Sequence, residues 1–275
     1  MVDKERPMET VVRLHNRCLL ERFIRPSRFL NVFLLADLDN RYWRQTTWYG
    51  LMKGRSLQAL ALLFGKTPPL FVLLAPRKGL PAARRLLRAL RDDLPAIFHA
   101  DLAPGLKNLL AGRFRVERGG EGPHLRMGLV DWRPVRRTDI TGTVRMNTRD
   151  VPALRRLYRE GYPGNYFSPE HLGNGHFFGI RAEGRLISAG GLLAFSRRYR
   201  VAALGDFATH PAFRRRGLAT RVLAAVCRSL RGHADTIGLC VKAGNAPAIG
   251  CYRRMGFRPF GTTEILKVRR RKAVS

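Results

Sequence analysis

An arginine-rich turn between an apolar run and a helical pattern has the composition of a phosphate-binding site. The run from Val201 to Thr209 predicts a strand, and the turn after it carries small residues at Gly217 and Ala219. Small residues let the backbone approach an anion, and a helix that begins there supplies unpaired N–H groups and the positive end of its dipole. The neighbouring positive charges are Arg214, Arg215 and Arg216. The turn therefore predicts a site for a phosphorylated cofactor; an ordinary solvated strand-to-helix turn is the alternative for so short a motif.

A second strand-to-helix unit follows in the sequence. A strand is predicted over Thr236 to Lys242, and Asn245 then has the position of an N-cap for a short helix. Tyr252 lies within that helix, and Gly256 is expected to end it in a left-handed conformation. On the residues alone, Asn245 and Gly256 are explained as caps and Tyr252 as a core aromatic.

Together the two units resemble the GNAT acyltransferase superfamily, over residues 141–267. The family's loop pattern, Arg/Gln-x-x-Gly-x-Gly/Ala, falls on Arg214, Gly217 and Ala219. Its later positions fall on Asn245, Tyr252, Gly256 and Phe257. The final segments look closest to the subgroup that includes glycine N-acyltransferases. The resemblance implies transfer of an acyl group from acetyl-CoA, or another short acyl-CoA, to a primary amine through a ternary complex.

The resemblance also implies which residues bind the cofactor. In the family, the pantetheine pairs with the backbone of the strand before the loop, and the pyrophosphate lies on the loop itself. The implied cofactor-binding residues are Phe207, Ala208, Thr209, Arg214, Arg215, Arg216, Gly217, Leu218, Ala219, Thr220, Asn245 and Tyr252. No metal is implied.

Proton transfer is implied for two residues. Tyr252 matches the family tyrosine whose hydroxyl lies near the sulfur and can protonate the departing thiolate. Asp206 matches a position at which many members carry a carboxylate that helps to deprotonate the amine, although in the closest subgroup this position is not reliably acidic. An ion pair with a neighbouring arginine is the alternative role of Asp206.

The resemblance also implies that the aromatic residues of one loop border the acceptor site and select the acceptor. They are Tyr162, Tyr166 and Phe167. Anchoring of the loop to the core is the alternative role for them. The scattered histidines are interpreted as structural or surface residues: His15, His99, His171 and His210.

The order of the predicted elements indicates a mixed α/β (α+β) fold. The resemblance specifies a mostly antiparallel central sheet flanked by helices, the GNAT fold, preceded by a smaller, degenerate α/β domain of the same kind. The glycine-rich run at 119–123 is the best boundary, so the predicted domains are 1–129 and 130–275. The first is expected to open with a helix over Glu9 to Phe23. In the second, Ala182-Glu-Gly predicts a hairpin turn.

A formal net charge of +31 raises a second class of function. Such a charge attracts polyanions whatever the fold, so a GNAT-fold protein that binds nucleic acid is the alternative function. The basic residues are, however, spread along the whole chain, and no RNA-recognition or zinc-finger signature is present. A compositional bias toward arginine is therefore the favoured explanation, with non-specific polyanion binding as its consequence.

Targeting and membrane signals are not found in the sequence. No uninterrupted apolar run reaches the roughly 18 residues of a spanning helix, and the N-terminus lacks an apolar signal core. The four cysteines show no metal-ligand spacing. We therefore expect a cytoplasmic protein with reduced thiols.

Overall fold

The computed structural model describes residues 8–65, 68–75, 77–117, 122–165 and 167–271. The strands in chain order are β1 (Glu9–Leu14), β2 (Thr46–Lys53), β3 (Ser56–Phe64), β4 (Leu70–Leu73), β5 (Ile97–Leu102), β6 (Phe114–Val116), β7 (Gly122–Leu129), β8 (Thr143–Arg145), β9 (Phe178–Ala182), β10 (Arg185–Ser196), β11 (Val201–Thr209), β12 (Thr236–Lys242) and β13 (Phe257–Arg270). The helices are α1 (Arg17–Ile24), α2 (Val32–Asp37), α3 (Asn40–Trp43), α4 (Leu80–Leu90), α5 (Arg133–Arg137), α6 (Val151–Gly161), α7 (Leu218–Ser229) and α8 (Ala246–Arg254). Short 3₁₀ turns include Pro169–Asn174 and Pro211–Phe213.

In the described ranges the strands form one 13-stranded sheet with helices packed against it. The order is β1-β2-β3-β4-β5-β13-β7-β12-β11-β10-β9-β8, and β6 pairs with β13. Only the pairs β4–β5 and β11–β12 are parallel among these strands. The predicted fold class, a mixed and mostly antiparallel sheet flanked by helices, is confirmed.

Two strands, β7 and β13, connect the N-terminal half of the sheet (β1–β6) to the C-terminal half (β8–β13). β7 lies between β12 and β13, so it completes the C-terminal half although it precedes it in the chain. β13 in turn pairs with β5 and β6 along its last residues. The domain boundary at 129 stays a prediction. Any division of the chain has to account for the position of β7 between β12 and β13 and for the pairing of β13 with β5.

Apolar clusters on both faces hold the sheet to its helices. In the C-terminal half, the buried side of α7 packs on β9, β10 and β11 through residues such as Val222, Leu223 and Val226. In the middle of the molecule, α1 and α2 pack against strands of both halves, and Val32 contacts the Gly238 position of β12. Burial of a Val or Leu side chain contributes about 1.5–3 kcal/mol, so these contacts join the two halves into one core.

The opening of the chain differs from the prediction. Residues 9–14 form β1, which pairs antiparallel with β2 from Glu9↔Lys53 to Leu14↔Trp48. The helix α1 begins only after Asn16, whose side chain accepts a hydrogen bond from the Leu19 N–H at 3.0 Å. The predicted helix over Glu9 to Phe23 is therefore wrong in its first part, because pairing with β2 and the Asn16 cap decide the local structure.

The hairpin between β9 and β10 agrees with the sequence. Arg185 pairs with Ala182, and the two residues between them, Glu183 and Gly184, have φ of 51° and 73°. Positive φ at both central positions is what a two-residue turn with the twist of the flanking strands requires.

Helix length also bears on membrane insertion. α7, with 12 residues, is well short of the roughly 20 needed to cross a bilayer, and the described part of the chain has no helix long and apolar enough to do so.

Candidate active site

The parallel strands β11 and β12 separate partway along their length. They pair from Val201↔Thr236 to Leu204↔Leu239, and then β11 continues to Thr209 and β12 to Lys242 without pairing to each other. Their facing backbone groups beyond Leu204 are thereby left for another partner. We call this V-shaped gap the strand opening. The backbone of Phe207, Ala208 and Thr209, assigned to pantetheine, lies along it.

A bulge in β11 lies at the strand opening. Opposite β10, Gly205 pairs with Gly191 and Ala208 with Ala189, so two residues of β11 face one of β10. Asp206 has a φ of 57°, an uncommon value for a residue with a side chain. The Tyr158 hydroxyl donates a hydrogen bond of 2.6 Å to the Asp206 carbonyl oxygen. The bulge re-aims the side chains of β11 where the strand opening begins.

The predicted anion loop is exposed and ends at the start of α7. Arg215 and Gly217 have φ of 62° and 75°, and α7 begins at Leu218. The first N–H groups of a helix have no intrahelical partner. A Cβ built on Gly217 meets no atom within 4 Å, so the space above this residue is open. The loop residues gather positive charge and free amides at one end of the strand opening.

Arg214 is used differently from its neighbours. Its guanidinium donates to the carbonyl oxygens of Thr209 at 3.2 Å and of Gly161 at 2.9 Å. It therefore ties the end of β11 to the end of α6. Arg215 and Arg216 are exposed, and Arg216 lies over the Phe213 ring. Unlike Arg214, neither of them donates a hydrogen bond to a backbone carbonyl in the described part of the chain.

The helix α8 brings Tyr252 to the other side of the strand opening. Asn245 caps α8, since its side chain accepts a hydrogen bond from the Ala248 N–H at 3.2 Å. The half-buried Tyr252 ring lies 6.3 Å from the Phe207 ring and 6.0 Å from the Phe257 ring, centroid to centroid. Burial raises the pKa of Tyr252, so its hydroxyl keeps its proton at neutral pH.

Gly256 fixes the end of the unit that carries Tyr252. Its φ is 88°, and a Cβ at this position would lie 1.9 Å from the Asp131 carbonyl oxygen. Only glycine satisfies both conditions without a backbone shift. The predicted left-handed residue after α8 is confirmed.

The aromatic loop after α6 has one residue in the core and one at the surface. The Phe167 ring contacts Tyr158, Phe177 and His171 at centroid distances of 5.0, 5.8 and 6.2 Å. This packing agrees with the anchoring alternative for Phe167. Tyr162 is 38% exposed, and its backbone N–H donates a hydrogen bond of 2.9 Å to the Tyr158 carbonyl oxygen. Tyr166 lies outside the described residues.

Asp206 pairs with a histidine and not with an arginine. Its Oδ2 lies 2.7 Å from Nδ1 of His171, which is in the Pro169–Asn174 turn. Both side chains are largely buried, with 3% of Asp206 and 16% of His171 exposed. The arginine ion pair considered from the sequence is therefore wrong. His171 was missed as a site residue because it lies 35 residues from Asp206, and no local pattern joins them.

Metal-binding geometry is not found at this site: the described segments hold no group of three or more His, Cys, Asp or Glu side chains that could bind a metal ion.

Part of the sequence that contains these features is similar to a known family. Residues 144–257 match the model of the acetyltransferase (GNAT) family. Among curated proteins, none matches the sequence at a significant level.

Solved structures share the fold over nearly the whole chain. A GNAT-family acetyltransferase structure from Novosphingobium aromaticivorans matches with a TM-score of 0.60 at 21% identity, covering 90% of this chain and 99% of that one. A Drosophila protein matches with a TM-score of 0.65 at 15% identity, covering 94% and 98%. A tandem GNAT protein from the clavulanic acid biosynthesis pathway matches with a TM-score of 0.50 at 14% identity, covering 98% and 100%. Residues 144–257 are thus similar in sequence to the GNAT acetyltransferase family, and the chain shares the fold of the solved GNAT structures.

Proposed function

We propose that this protein is an N-acyltransferase that moves an acyl group, most simply acetyl, from acyl-CoA to a primary amine in a ternary complex. The observation that carries the proposal is the convergence of three features: the strand opening, the anion loop at the start of α7, and Tyr252 beside the opening. GNAT enzymes generally use acetyl-CoA, and the residues present suit it.

The proposed binding follows from the groups at the opening. The pyrophosphate would accept hydrogen bonds from the free N–H groups at the start of α7, with Arg215 and Arg216 beside it. The pantetheine would pair with the backbone of β11 beyond Leu204, where β12 no longer does. Asn245 is used as a helix cap, so we assign it a role in positioning α8 and hence Tyr252.

The proposed reaction needs a neutral amine, charge stabilisation and a proton donor. The amine nitrogen attacks the thioester carbonyl, a C–N bond forms, and the C–S bond breaks. Tyr252 would give its phenolic proton to the CoA thiolate, and its raised pKa keeps that proton available. Tyr162, together with Tyr166 outside the described residues, is the candidate for acceptor selection, for a small amine, an amino acid or a peptide amine.

The nucleic-acid alternative receives no support from the arrangement of charges. Many arginines pair with carboxylates, as Arg85 does with Glu9 and Arg200 with Asp235. Others bind backbone carbonyls, as Arg228 does with Val135. We therefore propose that any polyanion binding is non-specific.

The proposal is tested by ligand-dependent melting followed by turnover. Acetyl-CoA and longer acyl-CoAs at about 100 times the dissociation constant should stabilise the fold by about 2.7 kcal/mol. A panel of primary amines, amino acids and short peptides is then assayed by release of free CoA thiol. Absence of a melting shift with every CoA ester in low-salt buffer would refute the proposal.

A further inference from the structure

A buried carboxylate and a histidine form a pair on the α6 side of β11. Asp206 is 6% exposed, and its Oδ2 lies 2.7 Å from His171 Nδ1. The surroundings are apolar: Phe167 contacts the His171 ring, and Ala208 and Leu172 belong to the same buried cluster. A carboxylate so enclosed needs a hydrogen-bond donor, and His171 is the side chain that supplies it.

The tautomer of His171 follows from the two neighbours of Nδ1. The Ser168 N–H is 3.3 Å away and can only donate, whereas the Asp206 carboxylate is 2.7 Å away and can only accept. Nδ1 can satisfy one of them. The shorter, charge-assisted contact dominates, so we assign the proton to Nδ1. The lone pair of the neutral ring is then on Nε2, which has no hydrogen-bond partner in the described part of the chain.

The pair lies on β11, the strand that borders the proposed reaction centre. Asp206 directly precedes Phe207, whose ring lies 6.3 Å from that of Tyr252, centroid to centroid. The Tyr158 hydroxyl donates a hydrogen bond to the Asp206 carbonyl oxygen. The charged and titratable groups around His171 are Asp206 on β11, Tyr158 on α6, Glu170 in its own turn, and Arg41 on α3, which donates to the Glu170 carbonyl oxygen.

We infer that His171 is the base of the proposed acyl transfer and that Asp206 is its positioning residue. This inference rests on the proposed function. After the amine nitrogen attacks the thioester, one of its N–H protons passes to His171 Nε2, and the imidazolium is stabilised by Asp206. The C–S bond then breaks, and the CoA thiolate takes the phenolic proton of Tyr252. Exchange with solvent returns the proton from His171 to Tyr252, so the net products are the amide and free CoA.

The experiment compares His171→Gln, Asp206→Asn and a control, His233→Gln, with the wild-type protein. His233 contacts Arg197 and His176, at the end of the β11–β12 pair opposite to the strand opening. For His171→Gln we expect an unchanged melting shift with acetyl-CoA and a fall in kcat of about 10²-fold or more, the usual contribution of a general base. The acid limb of the pH–rate profile should disappear in the same variant. Imidazole should restore part of the activity of His171→Ala, whereas a structural role predicts no rescue.

Asp206→Asn separates positioning from proton acceptance. The side-chain amide introduced at position 206 can donate a hydrogen bond to Nδ1 of His171 and so favour the tautomer that is protonated on Nε2. We therefore expect a lower kcat with an altered pH profile and unchanged acetyl-CoA binding. The tautomer is read independently of turnover by long-range ¹H–¹⁵N correlation spectra of the full chain labelled at histidine. Protonated Nδ1 in the neutral wild-type ring supports the inference, and protonated Nε2 overturns it.

The outcomes distinguish this inference from the proposed function. If the wild-type protein is active and His171→Gln has the same rate and pH profile, His171 is not the general base. The proposed acyltransferase function would then still hold. Absence of any acyl-CoA melting shift would refute the acyltransferase itself.

Discussion

Gly217→Val is the substitution that tests the anion loop most directly. Gly217 has a φ of 75°, and the space around its missing Cβ is open. A valine side chain would therefore meet no protein atom, but it would occupy the space through which a phosphate approaches the first N–H groups of α7. The cost to the free protein is the left-handed backbone, about 1–3 kcal/mol.

A matched control lies at the other end of the same helix. Gly232 has a φ of 81° and likewise no atom within 4 Å of a built Cβ. Gly232→Val should therefore lose a similar amount of stability through the same backbone strain. It lies away from the strand opening, so its acetyl-CoA binding should be unchanged.

The two variants should differ only in the stability that they gain on binding acetyl-CoA. With acetyl-CoA at about 100 times the wild-type dissociation constant, the wild type and Gly232→Val should each gain about 2.7 kcal/mol. A 100-fold loss of affinity in Gly217→Val would reduce the gain to about 0.4 kcal/mol. Melting curves with and without acetyl-CoA measure both quantities. An equal ligand-induced gain in the two variants would show that the start of α7 does not bind the cofactor.

Four further predictions follow from other parts of the molecule. Tyr252→Phe should keep the acetyl-CoA melting shift and lose about 10²-fold in turnover, and unchanged turnover would leave Tyr252 with a packing role. Burial lowers the pKa of His176 to about 4 from 6.5 in the unfolded chain, so the unfolded chain binds the proton more tightly. The contribution of His176 to the free energy of unfolding, measured with urea, should therefore be fully present above pH 6.5 and be lost as the pH falls toward 4. His176→Gln should flatten this pH dependence. A fragment of residues 122–275 keeps β7 and should be better folded by circular dichroism than 130–275, which exposes the edges of β12 and β13; equal behaviour would support the boundary at 129. Binding to duplex DNA should be independent of sequence and fall with salt at a log–log slope of about −0.9 per phosphate neutralised, and sequence-selective binding that survives physiological salt would favour the nucleic-acid function.

Local signals made much of the cofactor side predictable. The start of α7, the Asn245 cap and the left-handed Gly256 each depend on residues within one turn of a helix. Their conformations follow from short-range sterics and capping, which a sequence displays directly. The hairpin at Glu183 and Gly184 was predictable for the same reason.

The side of the site proposed for the acceptor was not predictable because its contacts are long-range. His171 reaches Asp206 only after α6 and the Pro169–Asn174 turn have packed on β10 and β11. Asp206 has its orientation because β11 contains a bulge, which depends on the register with β10. Arg214 has the sequence position of a phosphate ligand, yet the carbonyl of Gly161, 53 residues away, attracts its guanidinium. Tertiary packing decides each of these.

The two parallel strand pairs explain why one half of the sheet has the opening and the other does not. In the C-terminal half, pairing between β11 and β12 ends at Leu204↔Leu239, short of both strand ends. In the N-terminal half, β4 and β5 pair up to Leu73↔Leu102, where both strands end, and the Ala103 N–H still donates to the Leu73 carbonyl at 2.9 Å. No gap is left there for a pantetheine backbone to fill.

The helix after β4, α4, also lacks features that α7 has at its first turn. Its N-cap, Gly79, has a φ of −88° where Gly217 has 75°, and Pro81 in its first turn lacks the N–H that Ala219 supplies in α7. The N-terminal half therefore has the strand-to-helix plan of a cofactor site without the opening or the full set of donors. Its own strands and helices instead pack onto the C-terminal half, through α2 on β10–β12 and through β13 on β5. This packing is consistent with a supporting role for the N-terminal half, in which α2 covers the face of β12 beside the opening and β5 anchors β13, the strand that follows Tyr252.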